Sequence, residues 1–279
     1  MISELMEKRN SCRNYKEEVI SDALIDELLK TAVKSPSGGG FQTYSIIKVT
    51  DDDKRTRLAE LCRNQMFIKR APVSLVFCLD YSRIQRINEL EPSPCDLPNE
   101  FMNLWMGIID ATICAQTLCI TAEEKGLRSI YIGNLIHSLE ESSELLGLPK
   151  HVIPVIMVTL GYPKSEGQVS PKYDIDVLVH DNTYQEMSDD VLLEAYHNKY
   201  SDWKMKAPEK LINKVFATAE KQSGTDFAEL CKRDMKSKNR ISPYQYWFGC
   251  YYTEDESFMT YEDYVKFMKT KGFRWMEGK

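Results

Sequence analysis

FMNLWMGIIDATICAQTLCITAEEKGLRSIYIG, residues 101–133 of a 279-residue chain, is the stretch that sets the architecture. From Phe101 to Lys125 apolar residues recur at helical spacing over about seven turns. Gly126 follows in the position of a C′ glycine, and Ser129 to Gly133 (SIYIG) reads as a short strand. A helix that is apolar nearly all round is a buried one. The segment therefore predicts a core helix feeding directly into a sheet. Asp110 interrupts the apolar run before it approaches the ~18 residues of a membrane span, so no membrane association is expected.

Upstream, Tyr44 to Thr50 (YSIIKVT) and Val73 to Leu79 (VSLVFCL) read as strands, the second apolar on both faces and hence central. Lys54 to Cys62 is a short helix between them. Ser21 is placed to cap a helix whose apolar face is Leu24, Ile25, Leu28, Leu29 and Ala32, and which should stop before Pro36. Downstream come a helix over Ser138 to Leu146 and an inner strand over Ile153 to Leu160 (IPVIMVTL), ending at Gly161-Tyr162-Pro163. By pattern alone, helices alternating with apolar strands suggest a mostly parallel sheet covered on both faces.

The 36 Lys and Arg against 42 Asp and Glu give a formal charge of −6, which argues against a nucleic-acid or anionic-membrane partner. Met1 to Arg9 is too charged for a secretory segment, and a cytoplasmic location is expected. The eight cysteines contain no C-x-x-C and sit mostly in apolar periodic segments, so reduced core thiols are expected rather than a disulfide framework. Four scattered histidines offer no metal site, and there is no G-x-S-x-G elbow for a serine triad. After Pro171 the character changes. Lys204 to Arg240 holds 10 basic and 5 acidic residues, a local balance of +5 that leaves −11 for the remainder. The tail is also aromatic from Tyr244 through Phe258 to Trp275, as a covering arm or dimer-contact segment would be.

Four short polar elements carry the chemistry. Arg9-Asn10-Ser11-Cys12-Arg13-Asn14-Tyr15, if extended, points Arg9, Ser11 and Arg13 one way, presenting two guanidiniums and a hydroxyl to one anion, although a solvated face has the same residue types. Ser35-Pro36-Ser37-Gly38-Gly39-Gly40-Phe41-Gln42 has three glycines that free backbone N–H groups, but lacks the G-K-[ST] of a Walker loop. Tyr131-Ile132-Gly133-Asn134 closes a strand on a glycine that can expose an amide. Ser170-Pro171-Lys172 sets a lysine after a rigid turn.

In this order the four elements resemble the FMN-dependent nitroreductase and flavin reductase family, nearest its NADPH-preferring, oxygen-insensitive branch. Supporting runs are Ser45 to Asp51, Phe77 to Tyr81, Asp110 to Gly133, Leu146 to Pro154, Leu160 to Pro163 and Val179 to Gln185. The resemblance covers about the first two thirds of the chain and fades in the tail.

The resemblance implies an α+β fold in place of the parallel arrangement: a central, mostly antiparallel sheet flanked by helices, in an intertwined homodimer. It implies a core over residues 1–185 and a helical, aromatic-rich extension over residues 186–279 within the same domain. It places Arg9 and Ser11 at the FMN phosphate, counts Asn10 among the cofactor-binding residues, and sets Arg13 near the flavin pyrimidine edge or ribityl chain, where its charge would tune the cofactor. Ser37 and Gln42 would approach from the partner subunit, Gln65 would contact the ring system, and Tyr131, Ile132, Gly133 and Asn134 would bring an amide near N5. Lys172 would join the phosphate, with Pro171 beside it among the cofactor-binding residues. Asn134 replaces a usual second glycine, Lys172 a common arginine and Ser170 a common lysine, and lysine lacks the bidentate fork of arginine.

No side chain is implied as catalytic, since the flavin carries the redox step. The expected activity is ping-pong hydride transfer from NADPH or NADH to FMN, then to a nitroaromatic, quinone or flavin acceptor. Lys204, Lys206 and Lys210 are candidates for the NADPH 2′-phosphate. A non-catalytic FMN-binding or storage protein and an enone reductase are the alternatives.

Overall fold

The computed structural model describes residues 1–253 and 259–275, so Phe258 lies outside the described residues. By contacts the chain divides into two compact units, Met1–Val169 with Met259–Lys279, and Ser170–Phe258. The first unit is built on a four-stranded sheet of β1 (Tyr44–Val49), β2 (Val73–Asp80), β3 (Arg128–Ile132) and β4 (Val152–Gly161) in the order β1-β2-β4-β3. Every pairing is antiparallel, with Tyr44 opposite Leu79, Val73 opposite Leu160 and Ile132 opposite Met157. The parallel arrangement suggested by element alternation is therefore incorrect, and the antiparallel one is observed. Alternation records only that helices intervene between strands; it carries no strand direction.

Every residue of β2 is buried, as its two-faced apolar run requires of a central strand. Its register slips between Phe77 and Cys78, where a bulge bends it against β4. Seven helices belong to the sequence-leading part of this unit: α1 (Ile2–Lys8), α2 (Asp22–Ala32), α3 (Asp52–Leu61), α4 (Phe67–Arg70), α5 (Ser82–Leu90), α6 (Met102–Glu124) and α7 (Leu139–Leu145). Ser21 caps α2 by accepting from Leu24 N at 3.2 Å. Gly126, at φ +77°, closes α6 as expected, with Leu127 N donating to Ala122 O at 3.0 Å.

Helix α6 is long and apolar enough to cross a membrane by length and composition, so Asp110 does not disqualify it as the sequence suggested. A mean over the window tolerates one carboxylate. Here the inner face of α6, through Ala111, Cys114, Ala115, Leu118 and Ala122, packs with Leu75, Phe77 and Val158 of the sheet. Its outer face leaves Met102 (70%), Trp105 (53%), Ile109 (52%) and Ile113 (36%) exposed at helical spacing.

The chain returns to this unit through α13 (Tyr261–Thr270), whose Phe267 and Met268 join Phe273 and Trp275 in a cluster with Leu79, Tyr81, Leu104 and Ile153. His151 N donates to Lys271 O at 2.8 Å, and Lys271 Nζ donates to Leu148 O at 2.8 Å. The second unit is helical: α8 (Ile175–Leu178), α9 (Asp189–Lys199), α10 (Glu209–Ser223), α11 (Thr225–Lys238) and α12 (Pro243–Tyr246). Ile212, Val215, Met235, Ile241 and Cys250 form its core. All eight cysteines are free, and burial pushes the Cys62 and Cys78 thiols up to about 12, so they stay protonated at neutral pH.

Candidate functional site

The segment after α1 is extended. Arg9 ends the helix at φ −61°, ψ 128°, and Tyr15 bridges to Pro163. Asn10 and Cys12 are buried, whereas Arg9 and Ser11 are half-buried and Arg13 is exposed, the alternation of an extended run with one face inward; it ends at Asn14, which is exposed, and Tyr15, which is buried. Cys12 N donates to Ser129 O at 3.0 Å, which lays the segment beside the start of β3. Tyr15 Oη donates to Cys12 O at 2.8 Å and lies 2.9 Å from Thr159 Oγ1, and burial pushes this phenol well above its ordinary value.

Neither Arg9 nor Arg13 has a carboxylate at ion-pair distance among the described residues. Arg13 lies over the Phe67 ring, 6.0 Å from its centroid. Arg9 acts instead on the electrostatics of Glu123 and Tyr131. Their neighbourhoods thus differ, one at the foot of α6 and the other at α4. Ser11 stands between them on the strand. Beside it, Lys8, Asn10, Arg128, Pro163 and Gly167 help line a cavity of about 330 Å³.

The glycine-rich segment is folded tightly rather than left open. Gly39 and Gly40 have φ of +57° and +72°, values a β-carbon resists, and Gln42 adopts +50°. Two carboxylates hold the loop. Asp110, 2% exposed, accepts from Gly38 N at 2.9 Å through Oδ1, and from Thr43 Oγ1 at 2.8 Å and Thr43 N at 3.3 Å through Oδ2. Asp80 accepts from Ser82 N and Oγ and pairs with Arg83, whose guanidinium donates to Gln42 O and Tyr44 O. Gln42 N donates to Ser37 Oγ at 3.2 Å and Gln42 Nε2 to Val33 O at 3.0 Å. Ser37 and Gln42 are therefore tied to their own loop, and Gln42 has its amide donor engaged there. Asp110 and Arg83 are the residues the motif reading missed. Asp110 stood out in the sequence as the one acid inside an apolar helix, and that was the available signal.

Gln65 is half-buried just past the left-handed pair Arg63 and Asn64 that ends α3, and its N–H donates to Ala59 O at 3.0 Å. At the end of β3, Ile132 is buried and Tyr131 Oη lies 3.0 Å from Gln116 Oε1, burial pushing its phenol far up. Gly133 is exposed. Its amide donates to no carbonyl among the described residues, and a β-carbon built on it would meet nothing within 4 Å. Asn134 opens the short turn that follows. The structure thus gathers Arg9, Asn10, Ser11 and Arg13 on one extended segment, joined by Cys12 to the start of β3, and Gly133 follows the far end of that strand. Pro171 and Lys172 are exposed residues of the second unit. That unit has its own apolar cavity of about 620 Å³, lined by Tyr173, Leu192, Tyr196 and Tyr244 among others, and none of the thirteen motif residues lines it.

A model of the nitroreductase family matches residues 6–94. The NADPH-flavin oxidoreductase of Vibrio harveyi is 33% identical over 214 residues, covering 72% of this chain and 87% of that protein. The chain belongs to the nitroreductase family. A Cr(VI) reductase of Pseudomonas sp. (strain G-1) is 32% identical over 71% of this chain and 81% of its own length. Among solved structures of the family, nitroreductase A from Vibrio parahaemolyticus superposes with a TM-score of 0.67 at 30% identity, covering 72% of this chain and 85% of that one. A structure from Bacteroides fragilis reaches a TM-score of 0.79 at 25% identity over 98% of this chain and 100% of its own. The curated relatives cover 71–72% of this chain, and the family model its residues 6–94. Likeness of backbone extends over nearly the whole chain.

Proposed function

We propose that this nitroreductase-family chain is an FMN-dependent oxidoreductase that takes hydride from NADPH or NADH and passes two electrons to a nitroaromatic, quinone or flavin acceptor. The observation that carries the reading is the extended segment Arg9–Arg13, with two guanidiniums outside ion-pair distance of a carboxylate and a hydroxyl between them, hydrogen-bonded through Cys12 N to the start of the strand that leads to the exposed Gly133. Guanidiniums outside ion-pair distance of any carboxylate fit a phosphate, and an amide with no carbonyl partner fits a planar acceptor atom.

When bound, FMN supplies the capacity to accept and return a hydride. The chain does the rest. Arg9 and Ser11 bind the phosphate, Asn10 fixes the strand from its buried side, and Arg13 brings positive charge toward the pyrimidine edge. Gly133 donates its N–H, with Tyr131 and Ile132 holding the strand end and Asn134 turning the chain away. Ser37, Gln42 and Gln65 are proposed as further contacts. The outer stripe of α6, Met102, Trp105, Ile109 and Ile113, supports burial against a second copy and hence a homodimer. A donor drawn from the NAD(P)H pool favours the cytoplasm as the place of work.

Full-length protein should purify yellow, and anaerobic NADPH should bleach its visible flavin absorbance, which a quinone or nitroaromatic then restores. A colourless preparation that takes up no added FMN refutes the reading. Gly133→Ala separates site from fold. Gly133 sits at φ −82°, ψ −19°, which alanine adopts freely, in open space. Stability should stay within about 0.5 kcal/mol of wild type. FMN affinity should fall by roughly tenfold, because a methyl group intrudes where the ligand approaches. Equilibrium unfolding alongside flavin titration tests both, and unchanged affinity removes Gly133 from the site.

A further inference from the structure

We propose that Glu123 is a positioning residue that holds the Arg9–Arg13 strand ready for the phosphate of FMN, an inference resting on the function proposed above. Glu123 lies in the last turn of α6 and is 4% exposed. A carboxylate there is doubly disfavoured, since it loses its water and faces the negative end of the helix dipole. It is compensated on one side only. Oε2 accepts from Arg128 Nη1 at 2.8 Å, whereas Oε1 is buried with no hydrogen-bond partner among the described residues.

What the carboxylate holds is the start of β3. Arg128 is its first residue, and the next carbonyl, Ser129 O, is the acceptor for Cys12 N in the middle of the Arg9–Arg13 strand. The path from the buried charge to the phosphate strand is therefore one ion pair, one peptide unit and one backbone hydrogen bond. Tyr15 secures the same strand from β4. Arg128 also lines the cavity beside the strand, together with Lys8 and Asn10. Arg9 is the second cation whose charge acts on Glu123. With five N–H donors in a planar fork, a guanidinium can face an internal carboxylate and an incoming phosphate together. Through Arg128, Glu123 thus fixes the start of β3 and with it the backbone that carries Arg9, an ordering cost then absent from binding.

The test compares FMN with riboflavin, which lacks the phosphate, by fluorescence titration of flavin-free full-length protein. Glu123→Gln is expected to weaken FMN binding by about 10- to 100-fold, the size of effect known for groups that orient metal ligands from behind. Riboflavin binding should stay within about twofold, and Glu123→Asp should recover part of the FMN preference. A loss shared equally by both flavins, or a gain for FMN, overturns the proposal. Should Glu123→Gln not fold, Arg128→Lys replaces the bidentate head with a point charge and must show the same selective loss for FMN. Wild-type protein that binds neither flavin refutes the functional reading and this proposal with it. Wild-type protein that prefers FMN, with an unchanged preference in the folded variants, refutes the proposal alone.

Discussion

Asp110→Ala is expected to lower the free energy of unfolding by on the order of 3–5 kcal/mol, and to abolish retention of flavin through purification. The side chain accepts three hydrogen bonds from Gly38 and Thr43, and removing it leaves two fully buried donors on Thr43 and a half-buried one on Gly38. A buried donor left without an acceptor costs about 1–3 kcal/mol. The loop that loses its anchor contains Gln42 in a left-handed conformation, which persists only while the surroundings impose it. Limited proteolysis should therefore cut the variant between Ser37 and Gln42 while wild type resists. Asp110→Asn, which keeps one acceptor but turns an NH₂ toward the other donors, should fall between the two. A denaturation midpoint and cleavage pattern like wild type for Asp110→Ala would refute this account of the loop.

Arg9→Ala with Arg13→Ala should weaken FMN binding by about 10²- to 10⁴-fold, since each charge-assisted contact is worth roughly 1.5–3 kcal/mol and 1.4 kcal/mol is a factor of ten. The single variants divide the effect. Arg9→Ala should lose preference for FMN over riboflavin. Arg13→Ala should weaken both flavins and lower the reduction potential, because a cation near the pyrimidine edge favours the reduced cofactor. Arg13 is exposed, so solvent screens it, and the shift should be on the order of 20 mV, or about 1 kcal/mol for two electrons. Flavin titrations and a potential measured against a dye couple check these. If Arg9→Ala keeps full preference for FMN, the phosphate lies elsewhere.

The elements were legible because periodicity records burial, and burial decides where helices and strands form. Val73 to Leu79 announced a strand covered on both faces, and Gly126 announced the end of α6, each from local residues alone. Strand direction was not legible by pattern, since the same apolar run serves a parallel or an antiparallel neighbour. The resemblance carried that information. The extended polar segment Arg9 to Arg13 was readable as alternation, yet its setting was not, because the contact that seats it joins Cys12 to Ser129. Asp110 shows the limit best. It was visible as an interruption, but its partners Gly38 and Thr43 lie 72 and 67 residues away, a separation that composition and spacing cannot bridge. Glu123 was one letter of a motif, and only the fold gives it Arg128 and an empty oxygen.

The return of the chain after the helical unit bears on how this protein can be dissected. Phe267, Met268, Phe273 and Trp275 are 7% exposed or less, and they sit against Leu79, Tyr81 and Ile153 of the sheet unit. A stop codon placed after Val169 would remove two things at once: an appendage, and the plug of the domain left behind. Loss of solubility in such a shortened protein would say nothing about what the excised helices do. Their contribution is better addressed by point changes within them, or by an internal deletion that spares the terminal plug.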